Sequence, residues 1–256
     1  MKIVRNIFCI LSVLLLGTAL TSCDSENAND CIQSSGKIIK EERAVTPFSR
    51  ILVNEEISLV LKQDSVYKVE VESGENLLND IDVEVVENQL VLTNHNICNF
   101  FREYNNTTVY VSTPTISEIR SATQRDIISD GVLESEKLVV YSENYQNNEY
   151  LTSADFYLEV NVKSFQMVFN GISNMNISGE ATNLNINMAS GNGRFEGRGL
   201  SVENANIYHR GSNDIIVKAS KTLSGDIYST GDLISIGRPE TVEVTEHYKG
   251  KLIIEE

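Results

Sequence analysis

The sequence predicts an all-β protein: a β-solenoid of stacked parallel coils, preceded by an N-terminal β-strand part. Three observations predict it. Glycines recur at positions 171, 191, 211 and 231, an interval of 20 residues held three times. Larger residues keep the same interval, Met188 with Tyr208 and Tyr228, and Met175 with Phe195 and Ile215. Upstream, short runs alternate apolar with charged residues, as in Val69-Glu70-Val71-Glu72, the period of a strand with one wet face. A repeat of this length made of short β segments has too little apolar surface to fold alone, so it must stack on its neighbours. Leucine-rich repeats require a Leu-x-x-Leu-x-Leu pattern that is absent, and a propeller blade needs about twice the period.

The first element in chain order is a processing signal. Lys2 and Arg5 precede an apolar run from Ile7 to Leu16, shorter than the roughly 20 residues of a membrane-spanning helix. Residues 1–22 read as a secretory signal. Leu20-Thr21-Ser22-Cys23 resembles the lipobox of bacterial lipoproteins, which implies acylation of Cys23, with chains such as palmitate, and cleavage before it. An ordinary cleavage site with an incidental cysteine is the alternative. Several acyl chains on one residue anchor stably where a single chain is marginal. The expected location is therefore the cell envelope, as an outer-membrane lipoprotein facing the periplasm or the exterior. Losing the signal takes the formal charge of the 256-residue chain from −15 to −17, because only Lys2 and Arg5 leave with it.

Residues 23–42 read as the lipidated cysteine and a polar, flexible tether, and residues 43–256 as the domain. With Cys9 in the signal and Cys23 lipidated, Cys31 and Cys98 remain, and an exported chain with two spare cysteines is expected to pair them. A metal site using His95 is the weaker alternative, since it lacks a third and a fourth ligand. In the N-terminal β part (43–114), apolar positions mark strands around Ile51 and Val53, Ile57 to Leu61, Val66 to Val71, Val83 to Val86, Leu90 to Leu92 and Val109 to Val111. Leu77-Leu78 after Gly74-Glu75-Asn76 reads as one helical turn, and Glu87-Asn88-Gln89 as a hairpin turn. Pro114 ends this part. The coils of 115–256 begin irregularly, with Ile119 to Gly131 and Leu138 to Asn144 as units and Tyr145 to Phe156 as an outward loop. Their apolar positions slip by a residue or two between coils. Gly171, Gly191, Gly211 and Gly231 are expected at one repeated corner, where a tight bend favours positive φ. The crowded asparagines from Asn174 to Asn206 read as amide ladders between stacked coils.

Two stretches carry a family resemblance. Pro47-Phe48-Ser49-Arg50-Ile51 with Ile57 to Gln63 and Val69 to Leu78, and the tail Gly225-Asp226-Ile227-Tyr228, Gly231-Asp232 and Gly237-Arg238-Pro239, resemble the head GIN domain family of auto-transporter adhesins. The resemblance spans roughly Arg43 to Ile254. It implies a right-handed, β-helix-like fold on an exported, membrane-tethered protein, and adhesion as its role. Ala122-Thr123-Gln124 and Ser142-Glu143-Asn144 stand where the family has Gly-Ser-Gly turns.

Function classes narrow further from composition. With 36 acidic against 21 basic residues and no basic cluster, the surface repels phosphate backbones, so nucleic acid is excluded as a partner. A polysaccharide-active enzyme would draw on Asp214, Asp226 and Asp232 with Arg194, Arg198 and Arg210, and would turn Tyr208 and Tyr228 outward over a groove. The acids fall at repeat positions, however, where an Asp after Gly suits a corner. His95, His209 and His247 form no metal or triad pattern, no phosphate-binding glycine motif is present, and no cofactor is implied. Asp64-Ser65-Val66 matches a short O-glycosylation pattern, which would place a glycan on Ser65. The resulting expectation is a non-enzymatic envelope lipoprotein that adheres to a glycan or a surface protein. Its alternatives are the polysaccharide-active enzyme and a structural or signalling-accessory envelope protein.

Overall fold

The computed structural model describes residues 31, 33–96, 98–100 and 107–256. The expected signal, Cys23 and the first part of the tether lie outside the described residues. Eight shorter strands come first: β1 (Ile38–Arg43), β2 (Arg50–Val53), β3 (Ser58–Gln63), β4 (Lys68–Gly74), β5 (Ile81–Val86), β6 (Gln89–Asn94), β7 (Thr108–Thr113) and β8 (Glu118–Ser121). Five long strands follow: β9 (Ile127–Ser142), β10 (Asp155–Phe169), β11 (Asn174–Met188), β12 (Phe195–His209) and β13 (Ile215–Ile227). Three short ones close the chain: β14 (Leu233–Ile236), β15 (Thr241–Glu246) and β16 (Leu252–Glu255).

The long strands pair in parallel, in sequence order, so each is one coil of a solenoid. Each is bent into two arms. In β10 the buried residues run Phe156, Leu158, Val160, Val162 and then Phe165, Met167, Phe169, a change of phase that only a bend at 163–164 allows while both arms face one core. The first arms continue through β3, β7, β4 and β1 at one end and through β14 and β16 at the other; the second arms continue through β8, β2, β6 and β5, and through β15. Between the two walls the core residues form columns. Phe156 lies on Met175, Met175 on Phe195, Phe195 on Ile215 and Ile215 on Leu233, all fully buried. The expected slippage is present as register shifts within β9/β10, β11/β12 and β12/β13.

The N-terminal part is continuous with this solenoid. Strand β2 pairs in parallel with β8, and β3 with β9, so they form a first coil stacked on the later ones. Antiparallel pairs then close that end: β1 on β4, β4 on β7 and β5 on β6. The turn between β5 and β6 places Glu87 at φ 48° and Asn88 at φ 65°, the two left-handed residues of a tight hairpin, where the hairpin signal lies. The expected helical turn is a short 3-10 turn over Leu78–Asp80. One boundary is corrected. Ile38–Arg43, assigned by its polarity mainly to the tether, is an edge strand: Lys40 pairs with Glu72 at 3.6 Å and covers the Tyr110 ring at 3.4 Å. Edge strands tolerate exposed charge, which hides their periodicity.

Cys31 and Cys98 are bonded, which removes the metal alternative for them. The bridge joins the start of the described chain to the loop after β6. Among the corner glycines, the expectation of positive φ holds only for Gly191, at +94°. At three of the four, the reason for glycine is the backbone of the neighbouring coil. A Cβ on Gly171 would stand 2.3 Å from the Thr152 carbonyl oxygen, one on Gly191 1.9 Å from that of Gly171, and one on Gly231 2.1 Å from that of Asn213.

Gly191→Ala therefore meets both a strained backbone and a backbone oxygen, and we expect it to cost upwards of about 3 kcal/mol. Gly237→Ala has positive φ but open space around it, and should cost only about 1–2 kcal/mol. Denaturant titration of both variants checks the ordering; equal losses would show that inter-coil contact is not the reason for glycine. Reducing the disulfide, which spans 67 residues, should remove up to about 4 kcal/mol. The same titration with and without reductant measures this.

Candidate functional site

The acidic corner residues are spoken for by the stacking. At the starts of three first arms, a side chain on one coil caps a backbone N–H on the next. Asn174 Oδ1 accepts from the Arg194 amide (3.1 Å), Asp214 Oδ1 from Asp232 (3.2 Å) and Asp232 Oδ1 from Lys251 (2.7 Å). Asn174 also donates to Asp155 at 2.8 Å, and Arg194 pairs with Asp214 at 3.3 Å. Asp226 lies elsewhere, on the outside of the second-arm wall, where His247 bonds it at 2.7 Å. Arg198 is held by Glu255 at 2.8 Å on the first-arm wall. Of the acids and arginines singled out by an enzymatic reading, Asp214, Asp232 and Arg194 share one row, where they bond each other and the stacked backbone, while Asp226 and Arg198 lie on the two walls and Arg210 is exposed just after β12, so the set does not converge on one groove.

The tyrosines point outward, as that reading required, but they stack on one another. Tyr208 and Tyr228 have ring centroids 5.3 Å apart, and Tyr228 lies parallel to His247 at 4.2 Å. Their faces are largely used by this ladder, so Tyr228 offers an edge rather than a platform. The asparagines also ladder in part: Asn204 donates to Asn183 at 3.2 Å, and Asn185 is paired in register with Asn206, which donates to Ser224 at 3.0 Å. His95 bonds Asp82 at 2.8 Å. Asp64-Ser65-Val66 forms the exposed connection between β3 and β4.

The two turns that depart from the glycine pattern are held by side chains. Thr123 Oγ1 donates to the Ile57 carbonyl at 3.1 Å and Gln124 bonds Glu56. Glu143 is buried and pairs with the buried Arg120, whose guanidinium lies 4.2 Å over the Tyr141 ring. Neither partner is marked by the sequence, because an Arg and a Glu 23 residues apart look like ordinary surface charge until the coils are stacked.

A groove of about 510 Å³ follows the bends of successive coils. Three stacked rows line it. Val162, Ala181, Val202 and Ala219 form an apolar row in register, beside the polar row Asn161, Glu180, Ser201, Lys218. Thr182, Glu203 and Ser220 form the third row, and Gly237 and Arg238 close the end nearest β14. Glu203 is neutralised by Lys221 at 2.7 Å. Lys218 and Arg238 are exposed and make no ion pair among the described residues. Sequence reading missed this groove, because its lining recurs at the repeat interval only after the coil bends are located. Smaller pockets lie beside His95 and the 147–150 loop (about 300 Å³) and along Tyr157, Glu196 and Arg198 (about 360 Å³).

The description "Putative auto-transporter adhesin, head GIN domain" matches residues 47–239. The chain belongs to this head GIN domain family. Solved structures share the fold at low identity. A "putative adhesin" from Bacteroides fragilis aligns with TM-score 0.76 and 15% identity over 87% of this chain and 99% of its own. A "putative adhesin" from Parabacteroides distasonis gives 0.64 and 16% over 87% and 99%. A "Putative lipid binding protein" from the same species gives 0.58 and 15% over 85% and 97%. No curated protein matches. Family membership carries the fold, not a set of site residues, and the groove lining is a property of this head GIN domain's own residues.

One buried titratable group stands apart from these surfaces. His209 occupies the core column of Phe169, Met188 and Ile227 and is fully buried. Its Nδ1 accepts from the Gly211 amide at 3.3 Å, so the proton sits on Nε2, which faces the Asn213 and Gly231 backbones. Burial holds its pKa below the ordinary histidine value, and Asp214, Asp232 and the Asn213 and Gly231 backbones oppose this only in part. Below about pH 6.5 the unfolded chain therefore binds a proton that the folded one refuses, and stability falls as pH drops through that value. His209→Met, which restores the residue type one coil away, should flatten this dependence by up to about 1.4 kcal/mol per pH unit. Melting curves from pH 7.5 to about 5.5 for both proteins test it; parallel curves would dismiss His209 as the cause.

Proposed function

We propose that the chain is an exported, lipid-anchored envelope protein that adheres to a surface macromolecule and catalyses no reaction. The observation that carries this reading is the spatial division of its polar residues. The carboxylates that could serve catalysis are committed to capping and pairing between coils, whereas the groove offers unpaired donors on an extended surface. Membership of the adhesin family supports the same direction. The lipobox at Cys23 supplies attachment, and the polar residues 24–30, before the bridged Cys31, supply the tether that lifts the solenoid off the lipid. Acidity suits such a surface, since it keeps the protein soluble and away from nucleic acid.

Protease shaving of intact cells tests the reading at its weakest requirement, exposure to the exterior. We expect the domain to be digested on intact cells, and Cys23→Ala to move the chain from the membrane to the soluble fraction. A chain protected until the outer membrane is permeabilised would end adhesion as its role.

A further inference from the structure

We propose that the groove along the coil bends binds a linear oligosaccharide whose terminal sugar carries one carboxylate. The carboxylate sits on Lys218 and Arg238, and the neutral sugars lie along the coils towards Asn161. This deepens the adhesin reading and rests on it.

Spacing comes first. The groove crosses the strands, so its groups repeat once per coil, at about 4.8 Å. A pyranose advances its chain by a similar step, so successive sugars meet successive members of the row. An extended peptide brings side chains to one face about every 6.7 Å and falls out of step after a single coil. The polar row spans about 14 Å over its three intervals, room for three or four sugars.

Charge then selects the sugar. On a chain of formal charge −15, Lys218 and Arg238 are unpaired cations at the same end of one groove. Arg presents a planar fork suited to a carboxylate, and Lys adds a point charge. Towards the other end, Glu180 is exposed and unpaired and accepts from sugar hydroxyls, but it repels a second acid. A uniformly anionic polymer therefore fits worse than a ligand with one acid at its end.

Calorimetric titration of the whole mature chain carrying Cys23→Ser tests this, with two probes. One is aldotetraouronic acid, a xylotriose capped by a single glucuronate; the other is the same tetrasaccharide with its carboxyl reduced to the alcohol. We expect the acid to bind at least about tenfold more tightly than the reduced form, the scale of a lost charge-assisted hydrogen bond. The double variant Lys218→Gln/Arg238→Gln should bind both probes alike while keeping the parent's melting temperature. Absence of binding, equal binding of the probes by the parent, or discrimination retained by the variant would overturn the proposal. Cell adhesion unchanged in that variant would reject the groove and leave adhesion standing. Discrimination by a chain that shaving finds protected would do the reverse.

Discussion

Parallel hydrogen bonding between successive coils is the constraint on which the rest of the molecule depends. It fixes the spacing at about 4.8 Å and puts each residue above one of the same facing on the coil before. Inside, this makes columns, and a column accepts any side chain that fills it, which is how a histidine comes to stand among Phe169, Met188 and Ile227. At the corners it brings backbones so close that a β-carbon at Gly191 or Gly231 would strike a carbonyl oxygen. At the starts of the first arms it lets one carboxylate or amide cap the next coil, so Asn174, Asp214 and Asp232 carry structure before chemistry.

The same constraint creates two ends, treated differently. The N-terminal end abandons the parallel pattern: β1, β4 and β7, and β5 with β6, fold back as antiparallel layers that cover the first coil, and the Cys31–Cys98 bridge ties the incoming chain to the loop beyond β6. At the other end, β15 pairs with β13 alone and β16 with β14 alone among the described residues, which leaves their outer edges open. Glu243, Glu246 and Glu255 stand on those strands, and charge on an open edge opposes strand addition by another chain.

Where the repeat is regular, the sequence is legible. The interval between the glycines gives the coil length, and the two cysteines left after the signal and the lipobox give their bond. What escapes is information created by stacking. The ion pair of Arg120 with Glu143 joins residues on different coils beneath the 143–154 loop, and no periodicity marks it. The edge strand β1 escapes because five of its six residues are exposed, so burial imposes no alternation. The glycines of the repeat have a backbone reason only at Gly191; at Gly171 and Gly231 the contact that excludes a β-carbon lies one coil away and is invisible along the chain.

Departures from the repeat are therefore of two kinds, and telling them apart locates function. Some restore the fold by other means: Thr123 and Glu143 replace glycine turns with side-chain bonds, and both are buried and satisfied. Others leave a group without a structural partner. Lys218 follows Asn161, Glu180 and Ser201 in one row but introduces a cation that no neighbouring coil neutralises, and Arg238 adds a second from the connection between β14 and β15. Stability alone would favour pairing them, as Lys221 pairs Glu203 one row over. Unpaired charge converging on a groove in an otherwise acidic solenoid has no role in stacking the coils, and that is the physical ground for assigning it to a ligand.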